Sequence, residues 1–415
     1  MPRDERGDAA PAMLTRMRFV PAAALLLLLA LWLAVLGIRP LFNPDEGRYA
    51  EIPREMLVSG DFVVPHLNGL AYIEKPPLQY WATAATMALL GPSPWAARLY
   101  SSLCALGAVG FLYWAALRLW NRDSAVRAAA IGASMLLFIL LGQLLTLDMS
   151  LTFYMTGCLC AFLVAQAHAQ RQRAVAARNA MLLAWALAAL GVLTKGLVAA
   201  VIPAAVLVLY TAYARDVSPW HRLHLLPGLA LFLVLAAPWH VLAQRRLDDF
   251  VDFFFIREHF ARFMTPVADR EEPFWFFGLV MLLGTLPWTH AALRALTHGW
   301  SRRAAAQFDA PALLRIWVLF IVVFFSLSDS KLIPYVLPAL PALGLLIAAQ
   351  PAARLSRQVG IAALLMVLLG LLLAAGAAAF EDGIRGDGAA VNKPHHSLRG
   401  PGNTLGYGLV RCRGV

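Results

Sequence analysis

Charge is what this chain has least of. Only 14% of its 415 residues are Asp, Glu, Lys or Arg, whereas a soluble domain carries about a quarter. With 60% hydrophobic residues and a mean hydropathy of +0.66, an ordinary soluble globular protein is excluded. Cysteine is scarce as well. Cys104, Cys158, Cys160 and Cys412 do not make a disulfide framework, because three of them lie in apolar runs. Cys158 and Cys160 stand two apart and point to different faces of a helix, so they read as apolar packing and not as metal or redox chemistry. Lysine is scarcest among the cations: Lys75, Lys195, Lys331 and Lys393 are four of 35 basic residues, and the other 31 are arginine. No basic stripe interleaved with aromatics is present, which speaks against nucleic acid as a partner. Alternating segments of about ten residues, the mark of a transmembrane β-barrel, are also missing.

What is present is a series of apolar runs of about 20 residues, enough to cross a bilayer. In hydrocarbon each backbone group must be satisfied within its own segment, so these runs are predicted to be helices. The fold class is therefore all-α and polytopic, with about 11 transmembrane helices. The expected spans are 21–38, 96–117, 128–147, 149–168, 179–194, 197–213, 224–243, 273–293, 311–328, 332–350 and 359–380. Residues 78–90 are apolar but short, and are assigned to a helix lying in the interface. That choice places Arg118, Arg122 and Arg127 on the cytoplasmic side, together with Arg171, Arg173, Arg178, Arg215, Arg222, Arg294, Arg302, Arg303, Arg354 and Arg357. The positive-inside rule is then satisfied throughout. Residues 1–20 become a cytoplasmic N-terminus, with 21–38 a retained first helix and not a cleaved signal. Residues 39–95 form the first extracytoplasmic loop with its interfacial helices. Residues 381–415, rich in Gly, Arg and Pro, read as a disordered tail.

The opposite side gathers polar residues of mixed sign. Asn43-Pro44-Asp45-Glu46 has the form of a helix start, with Asn as N-cap, Pro at N1 and Glu as in a capping box. Tyr49, Ile52 and Met56 then make an apolar stripe suited to the membrane surface, and the helix is predicted to stop near Ser59-Gly60. Asp45 has two readings: an acid favouring the helix dipole, or a general base at the mouth of a membrane cavity. Lys75, next to Glu74 and before Pro76-Pro77, either snorkels to lipid phosphates or holds one phosphate as a point charge. Asp148 interrupts an apolar stretch at an outer turn, where an acid is expensive and usually functional unless it merely marks the turn. His259 and Arg262 share a helix face. A lone His is more often structural than a ligand, and with Glu74 it would make an incomplete divalent-metal site. Lys331 and Tyr335 open the tenth span, Tyr335 either as an interfacial belt residue or, with lysine, as part of an anion site. Together these residues fit a lipid-phosphate-linked substrate held at the outer leaflet.

Asn43-Pro44-Asp45-Glu46-Gly47-Arg48-Tyr49-Ala50-Glu51 resembles the first-loop signature of bacterial lipid A aminoarabinose transferases and related protein mannosyltransferases. Pro65-His66-Leu67-Asn68-Gly69, Glu74-Lys75-Pro76-Pro77-Leu78, Glu258-His259-Phe260-Ala261-Arg262-Phe263 and Ser330-Lys331-Leu332-Ile333-Pro334-Tyr335 continue it in order, to about residue 350. The resemblance implies a GT-C glycosyltransferase, with residues 21–380 as its transmembrane domain. Such an enzyme moves a sugar from a polyprenyl-phosphate carrier to a lipid or protein acceptor on the extracytoplasmic face of the inner membrane. It further implies Asp45 facing the acceptor and Asp148 as a second acid. Lys75, Arg262 and Tyr335 would bind the carrier phosphate with Lys331 nearby, and Glu74 and His259 would hold a divalent metal. Family members usually continue into more helices and often a C-terminal extracytoplasmic domain, and the expectation here is that this domain is absent. The competing class is a carrier-lipid binding or transport protein without chemistry, or a truncated inactive paralogue, although transporters tend to show internal repeats and midplane charges.

Overall fold

The structure, a computed structural model, describes residues 23, 25–42, 44–255, 272–300, 308–351, 360–362, 364–365 and 367–368. The N-terminus at 1–20, expected to be cytoplasmic, Asn43, His259, Arg262, most of the span expected at 359–380 and the tail expected at 381–415 lie outside these residues. Two compact units divide the chain, Met1–Ala363 and Leu364–Val415. Only Leu364, Leu365, Val367 and Leu368 are described in the second; the first holds the helical bundle.

Helix α1 (Leu25–Gly37) ends in a 3-10 turn. The first loop then holds α2 (Asp45–Ser59), a two-stranded antiparallel ribbon of β1 (His66–Leu67) and β2 (Leu70–Ala71), and α3 (Leu78–Leu90). Asn68 and Gly69 turn the ribbon at φ 53° and 76°, the left-handed pair that a two-residue hairpin demands. Helix α2 stops at Ser59 on Gly60, whose φ is 71°, as the sequence predicts. Its start differs. The N-cap is Pro44, which offers no side-chain hydrogen bond, and Glu46 reaches back to the N–H of Phe42 at 2.9 Å. The apolar stripe also faces protein and not lipid. Ile52 and Met56 are buried with Tyr72, Tyr80 and Leu147.

Beyond the loop come α4 (Pro94–Leu119), α5 (Arg122–Ala133), α6 (Leu136–Gly142), α7 (Leu147–Gln170), α8 (Ala174–Lys195), α9 (Val198–Ala214), the short α10 (Ser218–His221) and α11 (Leu225–Arg246). After the undescribed 256–271 come α12 (Phe276–Gly284), α13 (Thr289–Thr297), α14 (Ala310–Ser326), a 3-10 segment Ile333–Val336 and α15 (Ala339–Ala348). Several starts carry side-chain caps: Ser93 accepts from Ala96 N, Asn121 from Ser124 N and Asp309 from Ala312 N, each satisfying an otherwise orphaned donor.

Among the described residues four helices, α4, α7, α8 and α11, are long and apolar enough to cross a membrane, or up to six spans if each of two bent pairs counts as one. A count of about 11 therefore draws on the shorter apolar helices α1, α9, α14 and Ile333–Ala348 as well. The run expected as a continuous span at 128–147 starts earlier, at Arg122, and breaks between α5 and α6 by 67°. That expected at 273–293 breaks between α12 and α13 by 120° at Pro287, which has no N–H to continue a helix. The two breaks satisfy each other: Leu136 N donates to Leu286 O at 2.9 Å and Trp288 Nε1 to Ser134 Oγ at 2.8 Å. At the centre lies α7, with 83% of its apolar window buried against 17% for α11, so α11 presents its leucines outward and α7 organises the core.

The first loop is fastened to this bundle. Trp81 Nε1 donates to Phe62 O at 2.7 Å and Trp239 Nε1, from α11, to Val63 O at 2.8 Å. Arg246 of α11 pairs with Asp61 at 2.9 Å.

Candidate active site

The first turns of α2 place Asp45, Arg48 and Tyr49 on one side of that helix, where they meet the ribbon, α3 and the start of α7. Arg48 pairs with Asp45 and lies over the rings of Tyr49 and Tyr72, 5.1 and 5.9 Å from their centroids. Tyr72 donates its hydroxyl to Glu74 Oε2 at 3.0 Å, and Lys75 Nζ bonds the carbonyl of Glu74 at 2.8 Å. Tyr80 packs 6.3 Å from Tyr49, ring to ring. Burial pushes the Tyr49 phenol above its ordinary value. Arg48 opposes that rise, while the nearby charges of Asp148, Asp45 and Glu74 add to it. Burial likewise raises the phenols of Tyr72 and Tyr80, so all three stay neutral hydrogen-bonding groups. Arg48 is held charged: its burial opposes protonation, but the nearby acids Asp45 and Glu74 favour it. Two donors here are buried without a hydrogen-bond partner, Arg48 Nε and the Tyr80 hydroxyl. Unmet buried donors of this kind call for an acceptor oxygen.

A second group adjoins the first through Tyr49. Asp148, in the first turn of α7, forms an ion pair with Lys195 at the last turn of α8. The Lys195 ammonium also stands 4.7 Å above the Tyr335 ring. The acids Asp45, Glu74 and Asp148 and the phenol Tyr335 thus meet at one end of the bundle, as their expected placement on one membrane face requires. Lys331 is buried, and among the described residues no hydrogen bond or ion pair ties it to this group. The sequence reading missed Arg48 and Tyr49 as site residues. It counted Lys195 among the four lysines but assigned it no role, although the rarity of lysine was a usable signal.

Glu46 holds the arrangement in place. Its carboxylate takes two bonds from Arg98, at 2.8 Å to Oε1 and 2.7 Å to Oε2. Arg39 adds a third at 2.9 Å, and the N–H groups of Phe42 and Leu145 add two more at 2.9 and 2.8 Å. Arg98, 1% exposed, spends its remaining donors on the carbonyls of Leu36, Arg39 and Pro40. Burial disfavours the charge on Glu46, yet the bonds from Arg98, Leu145, Phe42 and Arg39 prevail and bring its pKa down to about 2. One carboxylate so joins the end of α1, the start of α2, α4 and the turn before α7. Below it, buried Gln79 accepts from Ser150 at 2.6 Å and donates to Thr83 and Ser101, tying α3 to α4 and α7.

A family model described as dolichyl-phosphate-mannose-protein mannosyltransferase matches residues 74–241. The undecaprenyl phosphate-alpha-4-amino-4-deoxy-L-arabinose arabinosyl transferase of Aeromonas hydrophila is 37% identical over 327 residues, covering 78% of this chain and 58% of that one. The transferase of the same name from Pectobacterium carotovorum is 35% identical over 396 residues, covering 93% of this chain and 68% of its own length. The chain belongs to this family. The fold agrees: the crystal structure of ArnT from Cupriavidus metallidurans bound to undecaprenyl phosphate is similar with a TM-score of 0.76 and 34% identity. The match covers 85% of this chain and 63% of that one. The resemblance carried by the first-loop motif is thereby borne out. The chain spans 58% of the length of the Aeromonas relative.

Proposed function

We propose that the chain transfers a sugar from a polyprenyl-phosphate carrier to an acceptor, either a lipid A phosphate or a hydroxyl of a protein or glycan. The observation that carries this reading is the convergence of Asp45, Arg48, Glu74, Asp148, Lys195 and Tyr335 around a buried tyrosine cluster. It occurs in a family whose members are named for a sugar carried on undecaprenyl phosphate. In topology the proposal has about 11 crossings, a cytoplasmic N-terminus and the site facing the periplasm of the bacterial inner membrane.

In the reaction the acceptor oxygen attacks the anomeric carbon, the bond from that carbon to the phosphate oxygen breaks, and the electron pair leaves with the carrier phosphate. Charge grows on that phosphate, and fixed cations in a site of low dielectric stabilise it strongly. Lys75, with Arg262 and Tyr335, takes that task, and Lys331 is a further candidate. Asp45 is 55% exposed at its side chain, which leaves it accessible to an acceptor. For a hydroxyl acceptor it takes the proton as general base; for a phosphate acceptor, already anionic, it orients. Asp148, engaged by Lys195, fixes the ammonium over Tyr335 and acts as the second acid of the pocket. Arg48 Nε and the Tyr80 hydroxyl are donors for sugar or phosphate oxygens. Glu74 would be one ligand of a divalent ion and His259 another. Among the described residues no three His, Cys, Asp or Glu side chains gather to hold an ion, so no step is routed through a metal.

The test uses the full chain with a fluorescent polyprenyl-phosphate sugar and lipid A, a protein acceptor or an envelope glycan. Sugar loss from the donor, abolished by Lys75→Ala, is the expected result. An intact donor with every acceptor class would favour carrier binding or transport without chemistry.

A further inference from the structure

A second cavity, unrelated to the polar site, lies at the other end of the bundle. Its volume is about 390 Å³, within the range of small-molecule sites. Its walls come from α7 (Cys158, Phe162), α8 (Trp185, Ala188), α9 (Ala204) and α11 (Leu229), closed below by Trp317 of α14 and beside α10 by Trp220. Cys158 and Phe162 follow Asp148 by ten and fourteen residues on α7, which puts them about 15–21 Å further along the helix axis. Ala188 and Ala200, within seven residues of Lys195, also line it, so the cavity runs from mid-depth into the leaflet opposite the polar site.

Its walls are built, not accidental. Trp185 is fixed by a bond from its Nε1 to Leu223 O at 2.9 Å. It lies flat against Gly228, where an added Cβ would stand 2.1 Å from the indole nitrogen. At the mouth, Ala204, Trp220, Leu225 and Leu229 are exposed at the surface of the bundle, so the cavity opens sideways into the bilayer. The segment forming that mouth sets polar residues between lining ones: Trp220, His221, Arg222, Leu223, His224, Leu225, with Arg222 its cation. Arg215 ends α9 just before it, and Arg178 lies one turn before Met181, another wall residue. The acid of this segment, Asp216, is turned onto Ser218, accepting from its N at 2.9 Å and from its Oγ at 3.0 Å. Arg222 donates to Gln166 Oε1 of α7 at 3.3 Å, one helical turn beyond the wall residue Phe162, and stands next in sequence to the wall residue Leu223.

An apolar slot open to lipid and edged by arginine matches a molecule with one aliphatic chain to insert and a negative phosphate beside it. We infer that this cavity binds one acyl chain of an anionic phospholipid of that leaflet, its phosphate held by Arg222 and the neighbouring basic residues. Such a lipid would wedge α8, α9 and α11 together beneath the polar site without taking part in sugar transfer.

Native mass spectrometry of the full chain in detergent, with phosphatidylglycerol, phosphatidylethanolamine and undecaprenyl phosphate as separate probes, tests this. The wild-type chain should retain one phosphatidylglycerol. Ala204→Trp, an exposed mouth position, should lower its occupancy about tenfold, the effect of excluding two or so methylene groups. Ala188→Met should act in the same direction if the larger substitution prevents folding. Arg222→Gln should weaken phosphatidylglycerol, and should weaken phosphatidylethanolamine, whose own ammonium already offsets its phosphate charge, by less. Wild-type retention in both filled variants would overturn the assignment. So would loss of bound undecaprenyl phosphate in Ala204→Trp with phosphatidylglycerol unchanged, because the slot would then take the carrier's own tail.

Discussion

Glu46 and Arg98 meet in a two-pronged ion pair sealed from solvent, 52 residues apart in sequence. With five hydrogen bonds on one buried carboxylate, the pair is costly to break from one side. Removing one partner of a buried pair typically costs about 3–5 kcal/mol. Arg98→Ala should therefore lower the unfolding midpoint of the purified protein sharply. Glu46→Gln, which keeps the shape and loses the charge, should cost less, and equal midpoints for Arg98→Ala and wild type would refute the role given to the pair.

Acid should act on the same group. The folded pKa of Glu46, about 2, lies below its ordinary 4.5, so its contribution is present above pH 4.5 and fades as pH falls toward 2. The difference corresponds to about 3 kcal/mol. Thermal unfolding between pH 6 and pH 3 should show wild type losing stability that Glu46→Gln never had; parallel curves would contradict it.

Asp45→Asn is expected to cut transfer to a hydroxyl acceptor by about 10²–10⁴-fold. The unfolding midpoint should hold, since the carboxylate is exposed and its one ion pair contributes about 0–1 kcal/mol. With a phosphate acceptor the loss should be much smaller. A rate assay with both acceptor types reads this directly.

Asp148 and Lys195 should be coupled. Asp148→Asn leaves the ammonium facing Tyr335 without its counter-ion, and Lys195→Met leaves the carboxylate alone. In a double-mutant cycle on stability the pair should therefore lose less than the two singles added, by about 0.5–3 kcal/mol. Additive losses would show that the contact carries no energy.

Gly228→Ala should destabilise by about 1–3 kcal/mol, because the new methyl would meet the body of the Trp185 ring and not a flexible end. The accompanying loss of the Trp185–Leu223 bond should appear as a change in tryptophan emission; unaltered stability and emission would show that α11 simply moves away.

The helical class, the end of α2 at Ser59 and the helices α4, α7 and α8 were legible because long apolar runs and a terminal Gly act locally. The acids of the site were legible because Asp45, Glu74 and Asp148 stand out against so little charge. The role of Glu46 was not: its partners Arg98 and Leu145 lie 52 and 99 residues away, and the capping-box reading explained the residue without them. The bend between α5 and α6 was hidden for a different reason: hydropathy is nearly uniform through Met135, so the run looks the same whether its helix is straight or broken. The other bend had a visible signal in Pro287, which the reading of one continuous span passed over. The stripe Tyr49, Ile52, Met56 was seen, but periodicity names a buried face without saying whether lipid or protein covers it.

The fastening of residues 61–63 has its own consequence. Trp81, Trp239 and Arg246 each hold this stretch by a separate bond. Lifting it would break all three at about 1 kcal/mol each, a state occupied by fewer than about one molecule in a hundred. The stretch is thus a fixed part of the first loop and not a moving flap.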